Sequence, residues 1–231
     1  MAGHEMWAVV PVKRLSQAKQ RLTGVLSSEQ RTMLAGVMLC DVLENLRAAR
    51  SVAGIVVVSA DPAVHATARC FGASLIFDAS ESGVNDAVQR GLDALASRGH
   101  GVLVVPADIP FATPDDFESV LALLQHYPVV LSPALSDGGT NALAMRSPDL
   151  ITPHFGEDSF AAHGAIARQK RLCCGVFRSK RIGRDIDVAD DFRPLDFIPS
   201  DFSNLTSSLL REFELEDRRA SHDAPLAARI G

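Results

Sequence analysis

The chain has 231 residues, of which 47% are hydrophobic, and a formal net charge of −5. That length supports one sizeable core, while the acidic balance and the single Trp and single Tyr exclude a basic, base-stacking nucleic-acid surface. No apolar run approaches the roughly 18 residues of a membrane span, and the opening MAGHEMWAVVPVK lacks a signal-peptide layout. A cytoplasmic protein with a small-molecule ligand is expected, with no nucleic acid and no membrane as partner. Cys40, Cys70, Cys173 and Cys174 have neither zinc-ligand spacing nor the density of a disulfide scaffold, so they are read as reduced and mostly buried.

Met6–Val12 is a short, nearly continuous apolar run, as expected of a strand buried on both faces of a parallel sheet. A basic loop follows. SSEQRTMLAGVMLCDVLENLRAA repeats apolar residues at helical spacing, with Ser27 and Gln30 as a capping box. GIVVVSADP reads as a strand, AVHATARCFG as a short helix, ASLIFD as a strand, and GVNDAVQRGLDALASRG as a helix closed by Gly99 at its C-cap. GVLVVPADIP is the next strong strand. Thr113 caps a helix with Pro114 at its first position, and Asp115 and Asp116 complement the dipole. PVVLSPA and NALAMRS are strands flanking a turn, Ser159 caps a helix through Lys170, and the apolar LCCGVF precedes the acidic GRDIDVADD. The alternation predicts a three-layer α/β fold with a mostly parallel sheet. Residues 1–200 form one domain in this reading. Residues 201–231 carry an amphipathic helix and a loose tail without chemistry.

In such a fold, ligands collect beyond the carboxyl ends of the strands. Lys13, Arg14, Lys19 and Arg21 follow the first strand, either as a solvated basic loop or as a triphosphate site that offsets charge on a leaving pyrophosphate. The glycine-rich Walker pattern is absent. Asp108, between two prolines, suits a metal ligand or an ordinary turn. In Asp185-Ile186-Asp187, an extended backbone puts both carboxylates on one face, a crowding that Mg2+, Arg184 or solvent would relieve. The stretch DGGTNALAM (Asp137–Met145) has adjacent glycines and a hydroxyl, which would leave several backbone N–H groups free to converge on a phosphate. Ser159, after Gly156, would add a hydroxyl and N–H groups from a helix start, or act as a plain cap; His163 would face the same side in a supporting role. Asn85 would meet a base edge or cap its helix.

Taken in order, PVKRLSQAKQRL, GVNDAV, PADIP, DGGTNAL, FGEDSF with His163, and RDIDVADDF resemble the guanylyltransferases that make the phosphodiester precursor of the deazaflavin coenzyme F(420). The resemblance covers about Met6 to Leu195. It implies a Rossmann-like nucleotidyltransferase fold, GTP as co-substrate, Mg2+ as cofactor, and a small phosphorylated acid whose phosphate displaces pyrophosphate. Carried onto this sequence, it implies that Asp108, Asp185 and Asp187 hold Mg2+, and that Thr140, Gly156 and Ser159 bind the acceptor phosphate. Pro11, Lys13, Lys19 and Arg21 would attend the nucleotide, with Asn85 near guanine or ribose and Lys13 and Lys19 also assisting catalysis. Val84 and Ile109 stand where leucine is expected, and Glu157 and Asp158 place negative charge beside the phosphate site. The acceptor stays open among phosphoenolpyruvate, 2-phospho-L-lactate and 3-phospho-D-glycerate. A homodimer also stays open. The competing readings are a cytidylyl- or uridylyltransferase acting on a sugar or polyol phosphate, and a non-catalytic nucleotide-binding regulator.

Overall fold

The apolar runs become seven strands: β1 (Met6–Pro11), β2 (Val52–Ser59), β3 (Ser74–Phe77), β4 (Gly101–Val104), β5 (Val129–Pro133), β6 (Thr140–Met145) and β7 (Cys174–Val176). Between them run α1 (Ser28–Ala48), α2 (Pro62–Cys70), α3 (Val84–Ala96), α4 (Pro114–Ala122) and α5 (Ser159–Gln169). The computed structural model describes residues 5–192 and 203–213, the second segment being helical at 205–213.

The strands form one sheet in the order β3-β2-β1-β4-β6-β5-β7. Pairing is parallel everywhere except at β6, which runs antiparallel to both β4 and β5. Strand β1 has β2 on one side and β4 on the other, so the chain reverses its direction of winding there. A crevice at the carboxyl ends of β1 and β4 is where this class of sheet binds ligands.

Alternation along β1 builds the layers. Ala8 and Val10 face Leu39 of α1, Val64 of α2 and Phe117 of α4, whereas Val9 faces Val88 and Leu92 of α3 and Ala167 of α5. All of these residues are buried, which gives helices on both faces of the sheet as expected. Gly91 lets α3 approach β1 closely, because a Cβ there would stand 2.4 Å from Val9 Cγ1. Gly91→Ala should therefore destabilise the protein by about 1–3 kcal/mol in urea unfolding, despite alanine's better helix propensity. A neutral or stabilising result would show that β1 and α3 can separate freely.

The helix starts predicted at Ser27 and Thr113 form as read. Ser27 Oγ accepts from Gln30 N at 3.1 Å while Gln30 Oε1 accepts from Ser27 N at 2.9 Å. Thr113 and Asp116 repeat that box ahead of α4, with Pro114 at its first position. The basic stretch is not α-helical; it folds as two 3-10 turns, Leu15–Gln17 and Gln20–Leu22.

Some expectations need correction. Gly99 does not cap α3: Ser97 does, and Gly99 takes its positive φ of 67° two residues later. Ser159 is the first residue of α5 rather than its cap; Asp158, at φ 54°, occupies the cap position without a side-chain hydrogen bond. The cysteines are free, but Cys70 and Cys173 are exposed and Cys40 and Cys174 half-buried, so they are not mostly core residues. The C-terminal helix is tied to the fold. Asp41 of α1 accepts from Leu205 N and Thr206 N at 3.1 and 2.8 Å, and Leu209 packs with Leu22, Phe111 and Ile186. Residues 214–231 of the proposed tail lie outside the described residues.

Candidate active site

Local strain places the first cation. Lys19 adopts a left-handed φ of 54° between the two 3-10 turns. Its ammonium reaches Asp108 Oδ2 at 2.6 Å and Asp187 Oδ1 at 3.3 Å, and its side chain is only 6% exposed. Burial works against the charged ammonium, but the two carboxylates more than offset it and raise Lys19 above its ordinary range. Arg21 adds a 3.3 Å contact to Asp187 Oδ2 from a largely exposed side chain. Lys13 is exposed and Pro11 half-buried at the end of β1.

The acidic segment is docked by its backbone. Ile186 N donates to Asp108 O at 3.2 Å, and the Ile186 side chain is fully buried against Leu22 and Phe111. Asp191, which sequence reasoning did not single out, accepts from Asp187 N and Val188 N at 2.7 and 2.8 Å. From the C-terminal segment, Asn204 Nδ2 donates to Pro110 O at 2.8 Å, holding the loop that bears Asp108. The helix at 205–213 thus supports both acidic loops through packing and this bond.

Asp185 is paired differently from Asp187. Asn141 Nδ2 donates to its Oδ1 at 3.3 Å and to Ile182 O at 3.0 Å. Burial, and after it the charge of Asp108, push the Asp185 carboxyl up to about 6. Asn141, the last residue of the turn expected to wrap a phosphate, anchors this carboxylate. The crowding at Asp185 is therefore relieved by the Asn141 amide and its own backbone N–H, whereas Lys19 and Arg21 serve Asp187. Among the described residues, no three His, Cys, Asp or Glu side chains form a ready metal cage.

The glycine turn lies one residue upstream of Asn141. Gly139 N donates to Asp137 Oδ1 at 2.8 Å, Phe160 N to Gly138 O at 3.0 Å, and Ser159 N to Gly156 O at 3.2 Å. Gly139 N thus closes the turn on its own Asp137, and Phe160 N joins α5 to the turn. Two hydroxyls remain. Thr140 is 5% exposed and Ser159 1% exposed, and Ser159 Oγ has no hydrogen-bond partner among the described residues. Thr140 Oγ1 lies 3.0 Å from Nδ1 of the fully buried His163. Burial, helped by His154, lowers His163 to about 4, so the ring is neutral at neutral pH.

Gly156 takes a φ of 132°, a conformation that favours glycine, and a Cβ there would meet nothing within 4 Å. Its loop is clamped by Asn85, whose Oδ1 accepts from Phe155 N at 2.6 Å and whose Nδ2 donates to Phe155 O at 3.0 Å. An amide whose two ends match a peptide group fixes the loop beside the hydroxyls. Thr140 and Asn141 are consecutive in β6, so their side chains point to opposite faces, Thr140 to His163 and Asn141 to Asp185.

Residues 6–216 match the family described as Guanylyl transferase CofC like, which takes the similarity beyond Leu195 and through the supporting helix. The chain is 40% identical over 189 residues to a phosphoenolpyruvate guanylyltransferase of Sphaerobacter thermophilus, covering 81% of this chain and 91% of that one. It is 34% identical over 184 residues to a 2-phospho-L-lactate guanylyltransferase of Methanothermobacter thermautotrophicus, covering 80% and 81%. A 3-phospho-D-glycerate guanylyltransferase of Phenylobacterium zucineum is 32% identical over 188 residues, covering 80% and 86%. In fold, the chain is similar to a protein of Desulfovibrio desulfuricans G20 named as a nucleotide-diphospho-sugar transferase, with a TM-score of 0.75 at 21% identity, covering 94% and 98%. A nucleotidyltransferase fold whose buried lysine bridges two acidic loops thus coincides with sequence similarity over most of its length, and the chain belongs to the CofC-like guanylyl transferase family.

Proposed function

We propose that the protein transfers GMP from GTP to the phosphate of a three-carbon phospho-acid in coenzyme F(420) biosynthesis. The acceptor class comprises phosphoenolpyruvate, 2-phospho-L-lactate and 3-phospho-D-glycerate. An acceptor phosphate oxygen forms a bond to the α-phosphorus, and the bond from that phosphorus to the bridging oxygen breaks. Pyrophosphate leaves with the electron pair. The carrying observation is that the buried Thr140 hydroxyl immediately precedes Asn141, whose amide holds Asp185 next to Asp108, the carboxylate that meets the buried Lys19.

The acceptor phosphate is already an anion at neutral pH, so no strong general base is needed. Catalysis becomes alignment and charge compensation. Thr140 and Ser159 would hold the acceptor phosphate, with Gly156 leaving room beside them. Lys19 and Arg21 would face the triphosphate, with Lys13 and Pro11 at the end of β1 forming the near wall.

The carboxylates fit a hard divalent cation. Asp185 is half-buried next to Asp108 with neutral hydrogen-bond donors from Asn141 and its own backbone, and Mg2+ typically uses one or two carboxylates completed by substrate phosphates rather than an all-protein cage. Asp108, Asp185 and Asp187 would hold it, and when bound it supplies charge neutralisation at the phosphates. The test is pyrophosphate release from GTP and Mg2+ with each acceptor separately, with products identified by mass. Release with one acceptor is the expected result; GTP binding without release from any of the three would overturn the proposed acceptor class.

A further inference from the structure

Hydrogen-bond direction at His163 carries information that its sequence position did not. His154 N approaches His163 Nε2 at 2.9 Å, and a backbone amide can only donate. Nε2 must therefore be the unprotonated nitrogen of the ring. In a neutral imidazole the proton then sits on Nδ1, which lies 3.0 Å from Thr140 Oγ1. Nδ1–H donates and the threonine oxygen accepts. A cationic ring would have N–H groups at both positions and would oppose the His154 amide.

The consequence falls on the threonine. With Oγ1 engaged as an acceptor, its own proton points away from His163, and no acceptor for it exists among the described residues. The ring is held by its surroundings: it is fully buried, and Phe155 meets it edge-on at 5.0 Å between ring centroids. The same short loop supplies His154 N–H and Phe155, and Asn85 clamps it.

We propose that His163 is a positioning residue which, by donating from Nδ1 to Thr140 Oγ1, commits the Thr140 hydroxyl to donate its proton to an oxygen of the acceptor phosphate. This rests on the reading of Thr140 as an acceptor-phosphate group. An unoriented hydroxyl can satisfy itself in either direction, whereas this one presents only a proton to the anion. Direction matters here because Glu157 and Asp158 put negative charge near the same loop, so a misdirected lone pair would add to the repulsion.

Two measurements test it. First, nitrogen NMR of the full wild-type chain at neutral pH, with the His163 signals assigned by their loss in His163→Gln, should show Nδ1 protonated and Nε2 bare. The opposite tautomer, or a cation, overturns the proposal whatever the variants do. Second, a double-mutant cycle joins His163→Phe with Thr140→Val, using phosphoenolpyruvate or whichever of the other two phospho-acids turns over. Each single change should raise the KM for that acceptor roughly tenfold to a hundredfold while leaving the KM for GTP within about twofold. In the Thr140→Val background, His163→Phe should add less than about twofold, since its effect passes through the missing hydroxyl. The same factor in both backgrounds would mean His163 acts by packing, and sinks the proposal alone. An unchanged acceptor KM in Thr140→Val would instead overturn the phosphate-grip reading. Loss of folding in His163→Phe leaves the tautomer measurement decisive.

Discussion

Asp108→Asn should yield a folded protein whose kcat falls by about three orders of magnitude, measured as pyrophosphate release at saturating GTP. The substitution keeps the shape of the side chain but removes the charge that faces Lys19 at 2.6 Å. Attack of an acceptor phosphate on a triphosphate brings two anions together, and the proposed site manages this through groups arranged around Asp108. Without its charge, Lys19 keeps only Asp187 as an ionic partner among the described residues, and the proposed Mg2+ loses a ligand. The fold should tolerate the change, because Asp108 is 31% exposed and its backbone carbonyl still receives Ile186 N. An unchanged circular dichroism spectrum would separate catalysis from folding. A fall of less than about tenfold would remove Asp108 from the catalytic set.

Lys19→Met should lower both stability and turnover. Methionine matches the length of the stem but leaves Asp108 and Asp187 without the ammonium between them, while Asp185 stays close by. Removing one partner of a buried pair costs roughly 3–5 kcal/mol. Here the carboxylates are about one-third exposed, and solvent screening reduces the expected loss to about 2 kcal/mol. Turnover should fall by about two to three orders of magnitude, since no other cation among the described residues bridges both acidic loops. Arg21→Ala is the natural comparison: its side chain is 71% exposed, so stability should change by less than about 0.5 kcal/mol. Thermal unfolding together with pyrophosphate release reads both effects. Equal stability losses from the two variants would show that burial of Lys19 does not set its contribution.

The acidic, glycine-bearing motifs were legible in the sequence because residue type alone limits their chemistry. Their partners were not. Lys19 and Asp108 are separated by 89 positions, and Lys19 and Asp187 by 168. Nothing local distinguishes Lys19 from the neighbouring Lys13, yet one is buried between carboxylates and the other exposed. Asn85 and Asn141 carry the same amide, and the fold spends one on Phe155 and the other on Asp185. His163 had a signal, its helical offset from Ser159, but the offset is silent on which ring nitrogen bears the proton.

By itself the sequence determined the strands, the helix starts at Ser27 and Thr113 and the layered α/β class, because burial periodicity and capping are settled within a few residues of chain. The capping boxes at Ser27 and Thr113 and the two-faced burial of β1 are of that kind. Tertiary structure alone decided that β6 runs antiparallel, that Asp158 rather than Ser159 precedes α5, and that Phe160 N ties α5 to the glycine turn. The physical reason is competition: each polar group can satisfy several partners, and which one it takes depends on long-range packing that brings only some of them within reach.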